Sequence, residues 1–163
     1  MAKLDPIAEF REDHRKVRDG LLELASAAED GNLDTARKIL GEINALTGPH
    51  FRYEEESLYP SLKEFLGEYV DQLLEEHDGI IKTARVAAKI LSQSSVSAEE
   101  GKMAAGAARS LLVHVSNCDG LNILAEKFSQ VKLDQLADDF QKARDQNVPM
   151  LEWADTVRER KVV

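Results

Sequence analysis

The sequence predicts an all-α protein, an antiparallel up-down-up-down four-helix bundle with a C-terminal helical extension. Three observations predict it. Four long segments carry apolar residues at steps of three and four, the period of a helix with one buried face. Short polar connections separate them, which makes sequential helices antiparallel neighbours. No strand-like alternation competes anywhere in the 163 residues.

The first segment opens at Asp5-Pro6, an N-cap acceptor followed by a proline whose missing N–H is harmless at that position. Its inward stripe is Ile7, Phe10, His14, Val17, Leu21, Leu24 and Ala28, and Asp30-Gly31-Asn32 ends it as a turn. The second spans about 33–59 on Ala36, Leu40, Ile43, Thr47, His50, Glu54 and Leu58. Gly48-Pro49 lies inside it, so a kink or short break is expected just before His50. Pro60 is expected to stop it, and 61–66 forms a short helical turn ending at Gly67. The third, about 68–92, carries Val70, Leu73, His77, Ile81, Ala84, Ala88 and Leu91. A serine-rich loop follows, and Ser97-Ala98-Glu99-Glu100 fits a capping box. The fourth, about 98–128, carries Met103, Ala107, Leu111, His114, Cys118 and Leu121. Residues 131–147 read as a fifth amphipathic helix on Leu133, Leu136 and Phe140, broken by Val148-Pro149. The tail with Met150, Leu151 and Trp153 is expected to pack on the bundle or on a second copy of the chain. The bundle is thus assigned to 1–128 and the extension to 129–163.

This length suits one domain with a real core. Lys+Arg 21 against Asp+Glu 30 gives a net charge of -9, which argues against nucleic acid or an anionic membrane as the main partner. No apolar run is long enough to span a bilayer, and the polar N-terminus is no secretory signal. The one cysteine, Cys118, excludes an intramolecular disulfide framework and a multi-cysteine zinc site. A cytoplasmic protein is the expectation.

The four histidines fall one to a segment, each on an apolar stripe. His50 and Glu54 are four residues apart and share a helix face, so together they form a two-ligand metal clamp. A lone histidine on an apolar face is ordinarily a satisfied core residue; four converging with a carboxylate are another matter. Each buried polar group left unpaired costs roughly 1–3 kcal/mol, and the sum rivals the roughly 5–15 kcal/mol stability of a domain. Bound cations remove that penalty, whereas the bland alternative is a polar cavity filled with water. Glu-x-x-His pairs are absent, because Arg11, Thr47, Leu74 and Leu111 stand three residues before the histidines. His-Glu-x-x-His is absent too.

The ordered set His14, His50-Phe51-Arg52-Tyr53-Glu54-Glu55-Glu56-Ser57-Leu58-Tyr59-Pro60, Glu75-Glu76-His77 and His114 resembles the hemerythrin-like (HHE cation-binding) family over about 5–128. The resemblance implies an oxo- or carboxylate-bridged pair of irons inside the bundle, with His14, His50, His77 and His114 as terminal ligands and Glu54 as a bridge. It implies a function in binding or sensing dioxygen, or iron or nitric oxide, at an open iron position. Manganese or zinc suits the same ligand types. A peroxide-decomposing enzyme with weak catalase- or peroxidase-like activity and a bundle that has lost its metal are the alternatives. Homo-oligomers fit any of these.

Two positions depart from the family pattern. Leu73 stands where a fifth histidine is usual, so one iron is short of a ligand, or Glu55, Glu76 or water takes that place. After His114 the second bridge is Cys118, four residues on, or Asp119, five on. At about 100° per residue, Cys118 lies roughly 40° from His114 and Asp119 roughly 140° away. Ligand chemistry favours Asp119, and a one-residue π-bulge eased by Gly120 would turn it inward. Cys118 is then a non-ligating neighbour, a redox-active thiol or a small core residue. Tyr53 is a candidate donor to bound dioxygen, and Ile7, Phe10, Ile81 and Leu121 are candidates to line a dry pocket.

Overall fold

Asp5 caps the first helix as its position demands: Oδ1 accepts from the backbone N–H of Ile7 at 3.0 Å and Ala8 at 3.1 Å. The computed structural model describes residues 4–162, and no strand occurs among them. Helix α1 spans Pro6–Glu29 and α2 Leu33–Tyr53, joined by a turn in which Gly31 takes φ 70°. A π-helical turn, Glu54–Leu58, continues α2 directly into α3, Tyr59–Leu66. Helix α4 is Tyr69–Leu91. The fourth segment is divided into α5 Ala98–Ser110, α6 Leu112–Asp119 and α7 Asn122–Ala125. Helices α8 Gln130–Gln146 and α9 Met150–Thr156 follow.

Three sequence expectations change here. Pro49 does not break α2, which runs through it. Gly48 serves a different purpose: a Cβ there would meet Val148 O at 2.0 Å and Met150 N at 2.7 Å, so the α8–α9 connection crosses on bare backbone. Pro60 does not stop the second rod; it sits in the first turn of α3, where its missing N–H follows the widened π-turn. The fourth segment, expected as one helix, is interrupted at Leu111 and Gly120 by 3₁₀-type bonds such as Leu121 N to Cys118 O at 3.0 Å. The predicted capping box at Ser97 and Glu100 forms in both directions, at 3.2 and 2.8 Å.

Helix α1 packs along α2 and α5, and α4 packs on α5, whereas α2 and α4 meet more loosely. Helices α8 and α9 lie against α2. Apolar side chains gather in three clusters: Phe10, Leu62, Leu73 and Phe140; Leu21, Leu24, Ile39 and Leu91; and Phe51, Ile81, Met150 and Trp153. The tail therefore covers this chain's own helices. No helix among the described residues is long and apolar enough to cross a membrane.

Candidate metal centre

The four imidazoles converge, and they do so in pairs. Nε2 of His14 lies 3.2 Å from Nε2 of His50, and Nε2 of His77 lies 3.1 Å from Nε2 of His114. Glu54 stands between the pairs, Oε1 3.7 Å from His50 and Oε2 3.1 Å from His77, and it is 0% exposed. Stacking fixes two of the rings: Phe10 lies on His50 at 4.7 Å and 16°, Phe51 on His77 at 3.8 Å and 6°.

Behind each ring stands a carboxylate. Nδ1 of His14 faces Asp119 at 3.2 Å, that of His50 faces Asp13 at 3.2 Å, that of His77 faces Glu55 at 2.8 Å, and that of His114 faces Glu76 at 2.7 Å. A carboxylate there accepts a hydrogen bond from Nδ1–H, a tautomer inferred from the network, and this leaves the Nε2 lone pair pointing inward. The centre is then rich in acceptors. Nitrogen lone pairs face each other at hydrogen-bond distance without a proton to share, and neither oxygen of Glu54 receives a well-formed hydrogen bond. A cation satisfies such a set, and the donors (imidazole nitrogen, carboxylate oxygen, thiol sulfur) suit first-row metals. Two three-residue groups have the spacing for it: His14, His50 and Glu54; and Glu54, His114 and Cys118.

In a metal-free centre a proton takes part of that role. Burial works against charge on His77, but Glu54 and Glu55 outweigh it and hold the imidazole at about 9. Burial and the neighbouring His50 bring His14 down to about 4. Burial would raise the Glu54 carboxyl, yet His50 and His77 hold it well below the carboxylate range. Burial and Glu54 push the Cys118 thiol well up.

Asp119 and Glu55 do not occupy the expected places. The inward bulge expected after His114 is not met: the π-turn lies at 54–58 instead, and the chain leaves α6 through a tight turn. Asp119 consequently reaches His14 from the outside with its side chain 51% exposed. Cys118 points in, fully buried, with Sγ 3.2 Å from His114 Nε2. Glu55 backs His77 through Nδ1 and faces away from the Nε2 pairs.

Tyr53 stacks on Phe140 at 4.2 Å and 7°. The tyrosine at the site is Tyr59, whose hydroxyl lies 3.1 Å from His77 Nε2 and 3.3 Å from Cys118 Sγ. The π-turn places it, since the five-residue bond from Tyr59 N to Glu54 O stacks Tyr59 beyond Glu54. Asp13 was also missed; one residue off the His14 stripe, it reads as solvent-facing, whereas it is 1% exposed.

An apolar cavity of about 370 Å³ borders His14, His50 and His114 and extends along the interior past Val17, Leu21, Ala84, Ala87, Ala108 and Leu111. Ile7, Phe10, Ile81 and Leu121, expected to line such a pocket, lie elsewhere.

A family model described as the Hemerythrin HHE cation binding domain matches residues 5–121. The chain belongs to the hemerythrin HHE cation-binding family. Among curated proteins and among solved structures no match is found. The family match ends before α8, so α8 and α9 lie outside it.

Proposed function

We propose that the chain is a non-heme di-iron protein of hemerythrin type that binds or senses dioxygen, or iron or nitric oxide. The observation that carries this reading is Glu54, wholly buried, without a well-formed hydrogen bond at either oxygen and flanked by four inward Nε2 atoms. In this reading His14 and His50 would hold one ion and His77 and His114 the other, with Glu54 placed to serve both. Cys118 stands near where a second bridge is expected, with Asp119 and Glu55 orienting His14 and His77 from behind. The long rods form the up-down-up-down bundle within 1–128, and 129–163 is an extension docked on it. A reducing compartment such as the cytoplasm suits the lone thiol. Manganese or zinc would fit the same donors.

When bound, a ferrous pair would supply an open coordination position and electrons for dioxygen. The chain's own residues do the rest. Phe10 and Phe51 hold two rings in place, and the four outer carboxylates hold the inward tautomer. Leu73, fully buried where the resemblance places a fifth histidine, has no ligand atom to offer. The apolar cavity offers a small uncharged molecule a dry approach while disfavouring ions and water chains. The Tyr59 hydroxyl is the one O–H among these inward groups and can donate to a molecule bound there.

One observation favours peroxide decomposition as a second reading. The Tyr59 hydroxyl and the Cys118 thiol, two protic groups able to donate to a bound peroxide, stand together beside His77 and His114.

Elemental analysis and an optical spectrum of aerobically expressed protein test the main reading. A pair of iron ions per chain is expected, lost in His50→Ala and in Glu54→Ala. Iron retained in full after the Glu54 change would refute the bridge. Peroxide turnover that survives His50→Ala in iron-loaded protein would remove the enzymatic reading of this site.

A further inference from the structure

Two arginines from beyond the family match reach the centre from behind. Arg144, on α8, donates from Nη2 to Asp13 Oδ1 at 3.0 Å, and Oδ2 of Asp13 faces His50 Nδ1 at 3.2 Å. Arg158, just past α9, has a side chain only 1% exposed. Its Nε and Nη2 grip Glu55 at 2.9 and 2.7 Å, its Nη1 bonds Asp78 at 2.7 Å, and Glu55 faces His77 Nδ1 at 2.8 Å. The same arginine–carboxylate–imidazole relay is built twice, onto one histidine of each pair.

The other two histidines have no such relay. Asp119 behind His14 and Glu76 behind His114 are 51% and 24% exposed, and no guanidinium meets either among the described residues. Each pair thus has one ring held by a guanidinium-fixed carboxylate and a stacked phenylalanine, and one ring that the same phenylalanine meets edge-on and a partly solvated carboxylate backs. Holding α9 in place does not require this. Trp153, Met150 and Ala154 already bury it against Phe51 and Ile81, and a buried ion pair ordinarily stabilises no better than apolar packing of the same volume. What the guanidinium adds is direction. Its planar fork fixes the carboxylate plane, and the carboxylate fixes the tautomer and angle of the imidazole.

We propose that Arg144 and Arg158 are positioning residues for the cation site, and that docking of 129–163 and cation binding strengthen each other. This rests on the reading of the four histidines as ligands. The coupling is reciprocal: the factor by which the docked segment raises cation affinity is the factor by which the cation favours docking. His50 and His77 form the preset half of the centre, and His14 and His114, backed by the more exposed Asp119 and Glu76, form the adjustable half.

Zn²⁺ serves as a redox-silent probe in the full chain. Arg158→Gln should weaken Zn²⁺ binding about tenfold, the lower end of the effect of removing a group behind a ligand. Arg158→Lys should recover part of it. Arg160→Gln loses only an exposed bond to Asp78 and should leave affinity unchanged. Amide exchange across 150–157 should slow when Zn²⁺ is added to the wild type but not to Arg158→Gln, a response that a purely structural staple would not give. Wild-type protein that binds neither Zn²⁺ nor Fe²⁺ would sink the metal-centre reading itself. Wild-type binding, with affinity and Zn²⁺-dependent protection both unchanged in Arg158→Gln, would overturn the positioning role alone. If Arg158→Gln does not fold, Arg144→Gln, whose side chain is 27% exposed, decides by the same two measurements at His50.

Discussion

Two tyrosines six residues apart have opposite fates, and the backbone between them decides which one matters. Tyr53 packs its ring on Phe140, and no side chain or backbone group bonds its hydroxyl among the described residues. Tyr59 is turned into the centre, its hydroxyl against His77 and Cys118. Tyr59→Phe should therefore destabilise the protein by about 1 kcal/mol, the net worth of a buried hydrogen bond, and should shift the optical spectrum of the iron-loaded form while leaving its metal content intact. Tyr53→Phe should stay within about 0.5 kcal/mol in denaturant unfolding and leave the spectrum alone. A Tyr53 change that altered the spectrum as much as a Tyr59 change would contradict this assignment. The four histidines and Glu54 were legible because helical period alone puts them on one stripe of each rod. Their backing carboxylates were less so, since Asp13, Glu55, Glu76 and Asp119 lie off those stripes, and only the angle between helices brings them to another helix's imidazole.

At the scale of elements, the rods and most caps were readable from apolar spacing and turn residues, and the interruptions were not. Gly48-Pro49 and Pro60 look alike in sequence, each suggesting a break, yet α2 absorbs the first and the second follows a π-turn. Propensity cannot separate these cases, because tertiary packing decides whether a lost backbone bond is tolerated. Gly48 owes its identity to the connection from α8 to α9, which passes over it. A methyl group there meets backbone, which cannot swing aside as a flexible side chain would. Gly48→Ala should cost about 1–3 kcal/mol, the usual range for overpacking, and should loosen α9 first. Trp153, the only tryptophan and 1% exposed, reports it: its emission should move to the red before α1 and α2 lose helicity. Coincident loss of both signals would show that α9 is not a separate weak point.

At the scale of the whole molecule, the distribution of charge matters more than the net value of -9. Glu54 and Asp13 are buried in one interior, Glu55 nearly so, with Glu76 and Asp119 at its edge, and among the described residues the guanidiniums of Arg144 and Arg158 are the cations that meet these five, leaving an excess of three negative charges before any imidazole is charged. Three apolar clusters surround that interior and exclude the water that would otherwise screen it. A metal-free chain must protonate the site or let the helices around it relax. A cation that binds the folded chain alone adds RT ln(1 + [L]/Kd), about 2.7 kcal/mol at a hundredfold excess over Kd. For a chain of this size each kcal/mol moves Tm by about 2–4 °C. Chelation should therefore lower Tm by roughly 5–10 °C, and readdition of Fe²⁺ or Zn²⁺ should restore it. The same treatment of Glu54→Ala should change Tm little, because that variant has lost the group between the pairs. Equal Tm values for chelator-treated wild-type protein before and after addition of Fe²⁺ or Zn²⁺ would mean that the acidic interior is neutralised by protons alone, and that the convergence of the four rings serves packing and no cation.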